Sequence, residues 1–86
     1  NGLADAADGK RASFVARHVQ AVASALKEGV DVRGYLHWSL LDNFEWQLGF
    51  APRFGLVGVD YKTLARRIRP SAWEYKKIIA ANSIEL

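Results

Sequence analysis

Val15, Val19, Val22 and Leu26 recur at intervals of four, three and four, a spacing that gathers side chains onto one face of an α-helix. A helix is therefore predicted from a cap at Asp8 to about Lys27, with Lys10, Arg17 and Lys27 on its wet side. Gly29 is placed to end it in left-handed backbone. Val30 to Leu40 is rich in β-branched and aromatic residues and predicts a strand, with Gly34 allowing a close backbone approach. Leu41 to Arg53 follows no clean period, and a connection of that length points to function more than to linkage. Phe54 to Asp60 alternates as a short strand, and a basic, turn-like stretch then runs to Pro70. Ser71 and Glu74 have the spacing of a capping box that opens a helix to about Ala81. Ala72, Tyr75 and Ile79 line one side of that helix, and Asn82 to Leu86 is read as a loose end.

Helix, strand, long loop and helix make one and a half units of an α/β fold. Such a piece has an unpaired sheet edge on each side, so the expectation is an α/β fold completed by further chain. With 86 residues, half of them hydrophobic, some core can be buried, but not that of a whole large enzyme. No internal repeat or composition shift marks a domain boundary.

Much of the formal charge of +3 comes from Lys62, Arg66, Arg67 and Arg69. They share a turn-like stretch and neither lie along one helix nor alternate with stacking aromatics, which favours a solvated surface over nucleic acid as partner. Absence of cysteine excludes a disulfide framework and a thiolate metal site and leads to an expected cytoplasmic location. No apolar run approaches the roughly 20 residues of a membrane span, and Asn1 to Lys10 has no export-signal pattern. His18 and His37 fit no metal-ligand spacing, so packing or solvent roles are expected for both, with no metal.

Between Gly34 and Trp46 two tryptophans, a histidine and two acids crowd the end of the predicted strand and the loop after it. Trp38, Phe44, Trp46 and Phe50 must either pack as ordinary core or bind something, and their types alone leave both open. Glu45 tilts the balance, because a carboxylate between Phe44 and Trp46 is costly to desolvate unless it accepts hydrogen bonds. A sugar offers C–H faces for the rings and hydroxyl donors for the acid. Asp42 and Asn43 are read as turn formers before catalytic groups, Asp60 as a strand-end turn residue, and Arg53 as an ion-pair partner before a substrate contact.

Trp38-Ser-Leu-Leu-Asp-Asn-Phe-Glu-Trp46, Gly49-Phe50, Arg53-Phe-Gly-Leu56, Val59-Asp-Tyr61 and Ser71-Ala-Trp-Glu-Tyr-Lys76 together resemble the C-terminal signature of glycoside hydrolase family 1, the β-glucosidases and β-galactosidases. Asn1-Gly2 with Ala4-Asp5 and Arg11 is similar to the stretch at and just after that family's Thr-Glu-Asn-Gly motif, so the resemblance covers nearly the whole chain. It implies the C-terminal part of a (β/α)8 TIM barrel: helix 7, strand 8, a long loop and helix 8. Residues 1–86 would then be one portion of a single barrel and not an independent domain. The activity implied is retaining hydrolysis of terminal non-reducing β-D-glucosyl or galactosyl residues, without a cofactor. The implied partners are the β-glycoside substrate and the N-terminal part of the barrel, with room left for a homo-oligomer.

In that family the nucleophile would stand one position before Asn1 and the acid/base Glu on an earlier strand, so the chain holds no catalytic residue. Retaining hydrolysis needs both carboxyls, about 5 Å apart. By the same resemblance Trp38 is the platform beneath the sugar ring, and Glu45 accepts from its hydroxyls at positions 4 and 6. Trp46 donates its indole N–H to position 3 or 4, and Phe54 closes the pocket. Relatives acting on 6-phosphorylated sugars carry a small hydroxyl residue in place of Glu45, and since a carboxylate repels phosphate, an unphosphorylated sugar is expected. Two positions depart from the pattern, Phe14 for a frequent tyrosine and Pro52 before Arg53, and neither touches the inferred sugar contacts. A non-catalytic sugar-binding module, or a barrel fragment inactive alone, is the alternative.

Overall fold

In the computed structural model, which describes residues 1–85, helix α1 spans Arg11–Lys27. It begins later than Asp8, and the residue at its N-cap, Lys10, makes no side-chain cap. Asp8 has a left-handed φ of 59°, and its carboxylate bonds Ser71 instead. Val15 is buried, Val19 and Val22 are partly covered, and Leu26 is half exposed, so the apolar face fades toward the C-terminal end. Gly29, at φ 87°, closes α1: its N–H bonds the Leu26 carbonyl at 3.1 Å while Val30 N–H reaches back to Ala25 at 3.0 Å. Those paired bonds satisfy carbonyls that the helix end leaves free.

Val30 to Leu40 forms no strand. Strand character requires a hydrogen-bonded neighbour, and among the described residues the backbone of residues 33–37 bonds to no other segment. Pairing begins only at its end, where Trp38 N–H donates to the Asn1 carbonyl at 2.8 Å and Ser39 N–H to that of Phe54 at 3.2 Å. Leu41 then meets Val57 in a single parallel bridge.

The strand expected over Phe54 to Asp60 contracts to β1, Val57–Val59. It pairs antiparallel with β2, Arg66–Ile68, in the register Val57↔Ile68, Gly58↔Arg67 and Val59↔Arg66. Strand β2 lies in the stretch read as turn-like. All three of its residues are exposed, so it lacks the apolar alternation that announces a half-buried strand. Asp60 makes the turn between them, its carboxylate accepting the N–H groups of Lys62 at 2.9 Å and Thr63 at 3.3 Å.

Helix α2 spans Pro70–Ala81, with proline in its first turn and Asn82 in left-handed backbone at its end. The capping box does not form. Ser71 lies inside the helix, and the Glu74 carboxylate turns to Lys77 Nζ at 2.9 Å. Tyr75 packs against Tyr35 and His37, and Ile79, though exposed, lies with it on the wall of the groove between α1 and α2. The tail is not loose throughout, because Gln20 Nε2 on α1 donates to the Glu85 carbonyl at 2.8 Å; Leu86 lies outside the described residues. Among those residues only Val15 and Val59 are buried apolar side chains, while Leu36, Leu40, Trp46 and Ile79 are largely exposed.

Candidate functional site

The loop from Leu41 to Arg53 is shaped by a short 3-10 turn, Trp46–Leu48. Glu45 N–H donates to the Gly49 carbonyl at 2.7 Å, and Leu48 N–H returns to that of Glu45 at 2.9 Å. This tight closure fixes Glu45 at its base and leaves Trp46 81 % exposed at its rim. Across from it, Trp38 Nε1–H donates to Glu45 Oε1 at 3.0 Å. The second carboxylate oxygen of Glu45 has no partner among the described residues.

Of the four residues implicated by sequence, Trp38 and Glu45 are thus in direct contact. Phe54, partly covered, joins them through its carbonyl, which accepts from the residue after Trp38. Trp46 neighbours Glu45 in the chain, but its ring stacks on no other among the described residues. Concavities occur elsewhere on those residues. One, about 990 Å³, has Asp42, Arg53, Tyr61 and Arg66 among its walls; another, about 320 Å³, lies between α1 and α2. None of the four residues lines either. Phe44 and Phe50, both about half exposed, form a ring cluster: their rings are 5.3 Å apart, Phe50 lies 4.7 Å from Tyr61, and the Arg53 guanidinium sits 4.3 Å over Tyr61.

Asp42 holds the loop at its root. Its side chain is fully buried and accepts five hydrogen bonds: from Arg69 Nη1 at 2.8 Å and Nη2 at 3.0 Å, Arg53 Nη1 at 3.0 Å, Gly55 N–H at 2.9 Å and Val59 N–H at 3.2 Å. Burial alone would push its carboxyl up, but the hydrogen bonds from Arg69, Gly55, Val59 and Arg53 together hold it down at about 2. A local turn role for Asp42 is therefore corrected to a long-range one, whereas Asn43 does bond locally, to Ser39 Oγ and the Leu41 carbonyl. Arg53 is the ion-pair partner expected of it. Arg69, grouped by sequence with a solvated patch, is largely covered. Neither arginine's partner could be read along the chain, since Asp42 precedes Arg53 by 11 positions and Arg69 by 27.

A second buried ion pair lies at the start of α1. Arg11, completely buried, bonds Asp8 and donates to the carbonyls of Leu3, Asp5 and Arg53 at 3.2, 2.8 and 2.7 Å. Its link to the Arg53 carbonyl couples the first turn of α1 to the loop's far end. His18 Nδ1 lies 2.8 Å from the Phe14 carbonyl with its ring against Phe14, and His37 sits between Phe14 and Tyr75. Both are packing residues, and no group of three metal-ligating side chains occurs among the described residues. No helix there is long and apolar enough to cross a membrane.

Residues 1–84 match the model of glycosyl hydrolase family 1. The chain belongs to that family. A β-galactosidase of Sulfolobus acidocaldarius is 55% identical over 84 residues, which cover 98% of this chain and 17% of that protein. The solved hyperthermophilic β-glucosidase of Pyrococcus furiosus superposes with a TM-score of 0.95 at 54% identity over 99% of this chain and 18% of its own. A β-glucosidase mutant derived from a hyperthermophilic tetrameric structure gives the same TM-score, identity and shares. This family 1 chain therefore spans about a sixth of the length of these relatives. The α/β arrangement of helices and small sheet agrees with a portion of the family's barrel.

Proposed function

We propose that this chain forms the wall of a retaining β-glycosidase that grips the terminal sugar, and that it works only as part of a larger barrel. The observation that carries the reading is the Trp38–Glu45 contact. It sets an indole face and a carboxylate side by side, as a pyranose needs, with one carboxylate oxygen free to accept from hydroxyls. In this reading Trp38 is the platform and Glu45 accepts from positions 4 and 6. Trp46 donates to position 3 or 4, and Phe54 closes the side. A site that pairs ligand hydroxyls rejects analogues lacking them, because its own polar groups are then left unpaired. The two carboxylates that attack the anomeric carbon and protonate the leaving oxygen would come from outside these residues, so the chain alone turns over nothing.

Dependence on the rest of a barrel is supported by the exposure of Leu36, Leu40 and Ile79, since side chains of that size are ordinarily covered in a self-sufficient domain. In this assignment α1 is helix 7, Val30 to Leu40 becomes strand 8 once a neighbouring strand pairs with it, and α2 is helix 8. Association of complete copies is supported by the tetrameric origin of one relative.

The test is Glu45→Gln in the complete protein, assayed on an aryl β-glucoside and on the β-xyloside that lacks the 6-hydroxymethyl group. Loss of a charge-assisted hydrogen bond of about 1.5 to 3 kcal/mol predicts a roughly tenfold or larger fall in kcat/KM on the glucoside and a smaller one on the xyloside. Unchanged kinetics on both would remove Glu45 from the sugar site.

A further inference from the structure

The loop that presents Glu45 and Trp46 leaves the fold at Asp42 and returns at Arg53, and these two residues form an ion pair at 3.0 Å. The loop is thus tied shut across its neck. The tie is anchored in three directions. Arg53 Nη1 also donates to the Val59 carbonyl at 2.7 Å on β1, Arg69 grips Asp42 from the start of α2 while donating to the Gly55 carbonyl at 2.6 Å, and the N–H groups of Gly55 and Val59 complete the carboxylate's shell. On the other side, Asn43 bonds Ser39 Oγ at 3.1 Å, and Ser39 follows Trp38 directly. This bond and the clamp thus flank the two residues of the Trp38–Glu45 contact in the chain, the bond beside Trp38 and the clamp around Glu45. A carboxylate buried to this degree and paired at both oxygens resists movement, because each bond lost would leave a buried charge short of partners.

Resting on the sugar-binding reading of Glu45, we infer that Asp42, clamped by Arg53 and Arg69, is a positioning residue that sets Glu45 against Trp38 and thereby governs discrimination at the sugar's outer hydroxyls. Asp42 touches no substrate in this scheme. Its removal would leave Glu45 in place chemically but free to drift, and displacement of about 1 Å is enough to weaken a hydrogen bond that depends on direction.

The experiment is a double-variant cycle in the complete protein. Asp42→Asn, Glu45→Gln and the pair are assayed on an aryl β-glucoside and the matching β-xyloside, reading kcat/KM for each. Arg53→Lys serves as a milder second variant that keeps the charge but loses the planar fork, in case Asp42→Asn does not fold. The expected result is a glucoside-over-xyloside preference that falls roughly tenfold in Asp42→Asn or Arg53→Lys. In the double variant it falls no further than in Glu45→Gln alone, since residues that act through one another are not additive. If Glu45→Gln shifts the preference and neither clamp variant does, the positioning role is overturned while the sugar reading stands. If clamp and Glu45 effects multiply, Asp42 does not act through Glu45 and the inference also fails. If Glu45→Gln shifts nothing, the sugar reading falls and takes the inference with it.

Discussion

The carboxylate of Asp8 caps a helix that begins 62 residues later: it accepts the Ser71 N–H at 2.8 Å and the Ser71 hydroxyl at 2.6 Å, while its ion pair with Arg11 secures it from the other side. An acid at a helix N-terminus satisfies free N–H groups and complements the dipole, and here it also docks α2 onto the start of α1. Asp8→Ala removes both the cap and the partner of a buried guanidinium. Its expected cost is about 3 kcal/mol, read as a lowered thermal midpoint of the complete protein. An unchanged midpoint would mean that neither contact stabilises the fold.

Acid should weaken the loop neck as it destabilises the fold. The Asp42 carboxyl lies at about 2 in the folded protein, below the roughly 3.9 of an unfolded aspartate, so its contribution is complete above the unfolded value and is lost as pH falls from about 5 toward 2. That difference corresponds to about 2 to 3 kcal/mol. Asp8 is lowered as well: burial opposes this, and the hydrogen bonds from Ser71 and Arg11 outweigh it, so it adds in the same direction. Denaturant midpoints followed between pH 5 and pH 2 should fall less steeply in Asp42→Asn than in the parent. Parallel curves would contradict the assignment.

His37 should act in the opposite way to a stabilising charge. Its ring nitrogens are buried without a partner among the described residues, and burial first, then the nearby Arg11 charge, push its pKa below the usual value. A histidine lowered in the folded state binds its proton more readily when unfolded. Stability is therefore present above about pH 6.5 and declines as pH falls through and below that value. His37→Phe keeps an aromatic side chain between Phe14 and Tyr75, and its thermal midpoint should hold or rise at pH 5.5 relative to the parent. A drop specific to the variant at that pH would show that the imidazole has a partner in the complete protein.

Gly55 packs against the backbone of Leu41, Asp42 and Val57. A Cβ added there would stand 2.4 Å from the Asp42 nitrogen and 2.5 Å from the Val57 carbonyl oxygen, both backbone atoms that cannot turn aside. Gly55→Ala should therefore cost about 2 to 3 kcal/mol and lower kcat/KM on the glucoside by spreading the neck. Full activity with an unchanged midpoint would show that the close approach is not needed.

Much of the local structure is legible from sequence for reasons that act over a few residues. The spacing of Val15, Val19, Val22 and Leu26 marks α1, Gly29 marks its end, Pro70 opens α2, and Asp60 makes a turn from its own side chain. Trp38 and Glu45 stand out because a carboxylate among indoles demands donors, and the structure joins them. Three of the differences share one cause. Spacing along the chain assigns Asp8 to the nearest helix, Ser71 to a box with Glu74, and Asp42 to its own turn, since it reveals only partners a few positions away. Arg66–Ile68 reads as a turn because an exposed strand has no apolar alternation to betray it.

Periodicity and turn chemistry by themselves determined where this chain turns helical and where a carboxylate sits among aromatic rings in need of donors. Only the tertiary structure decided which charge meets which: Asp42 with Arg53 and Arg69, and Asp8 with Arg11 and Ser71. Helix and turn signals arise from contacts within a turn or two of chain, while a buried carboxylate takes whatever donors the folded backbone brings to it, however distant in sequence.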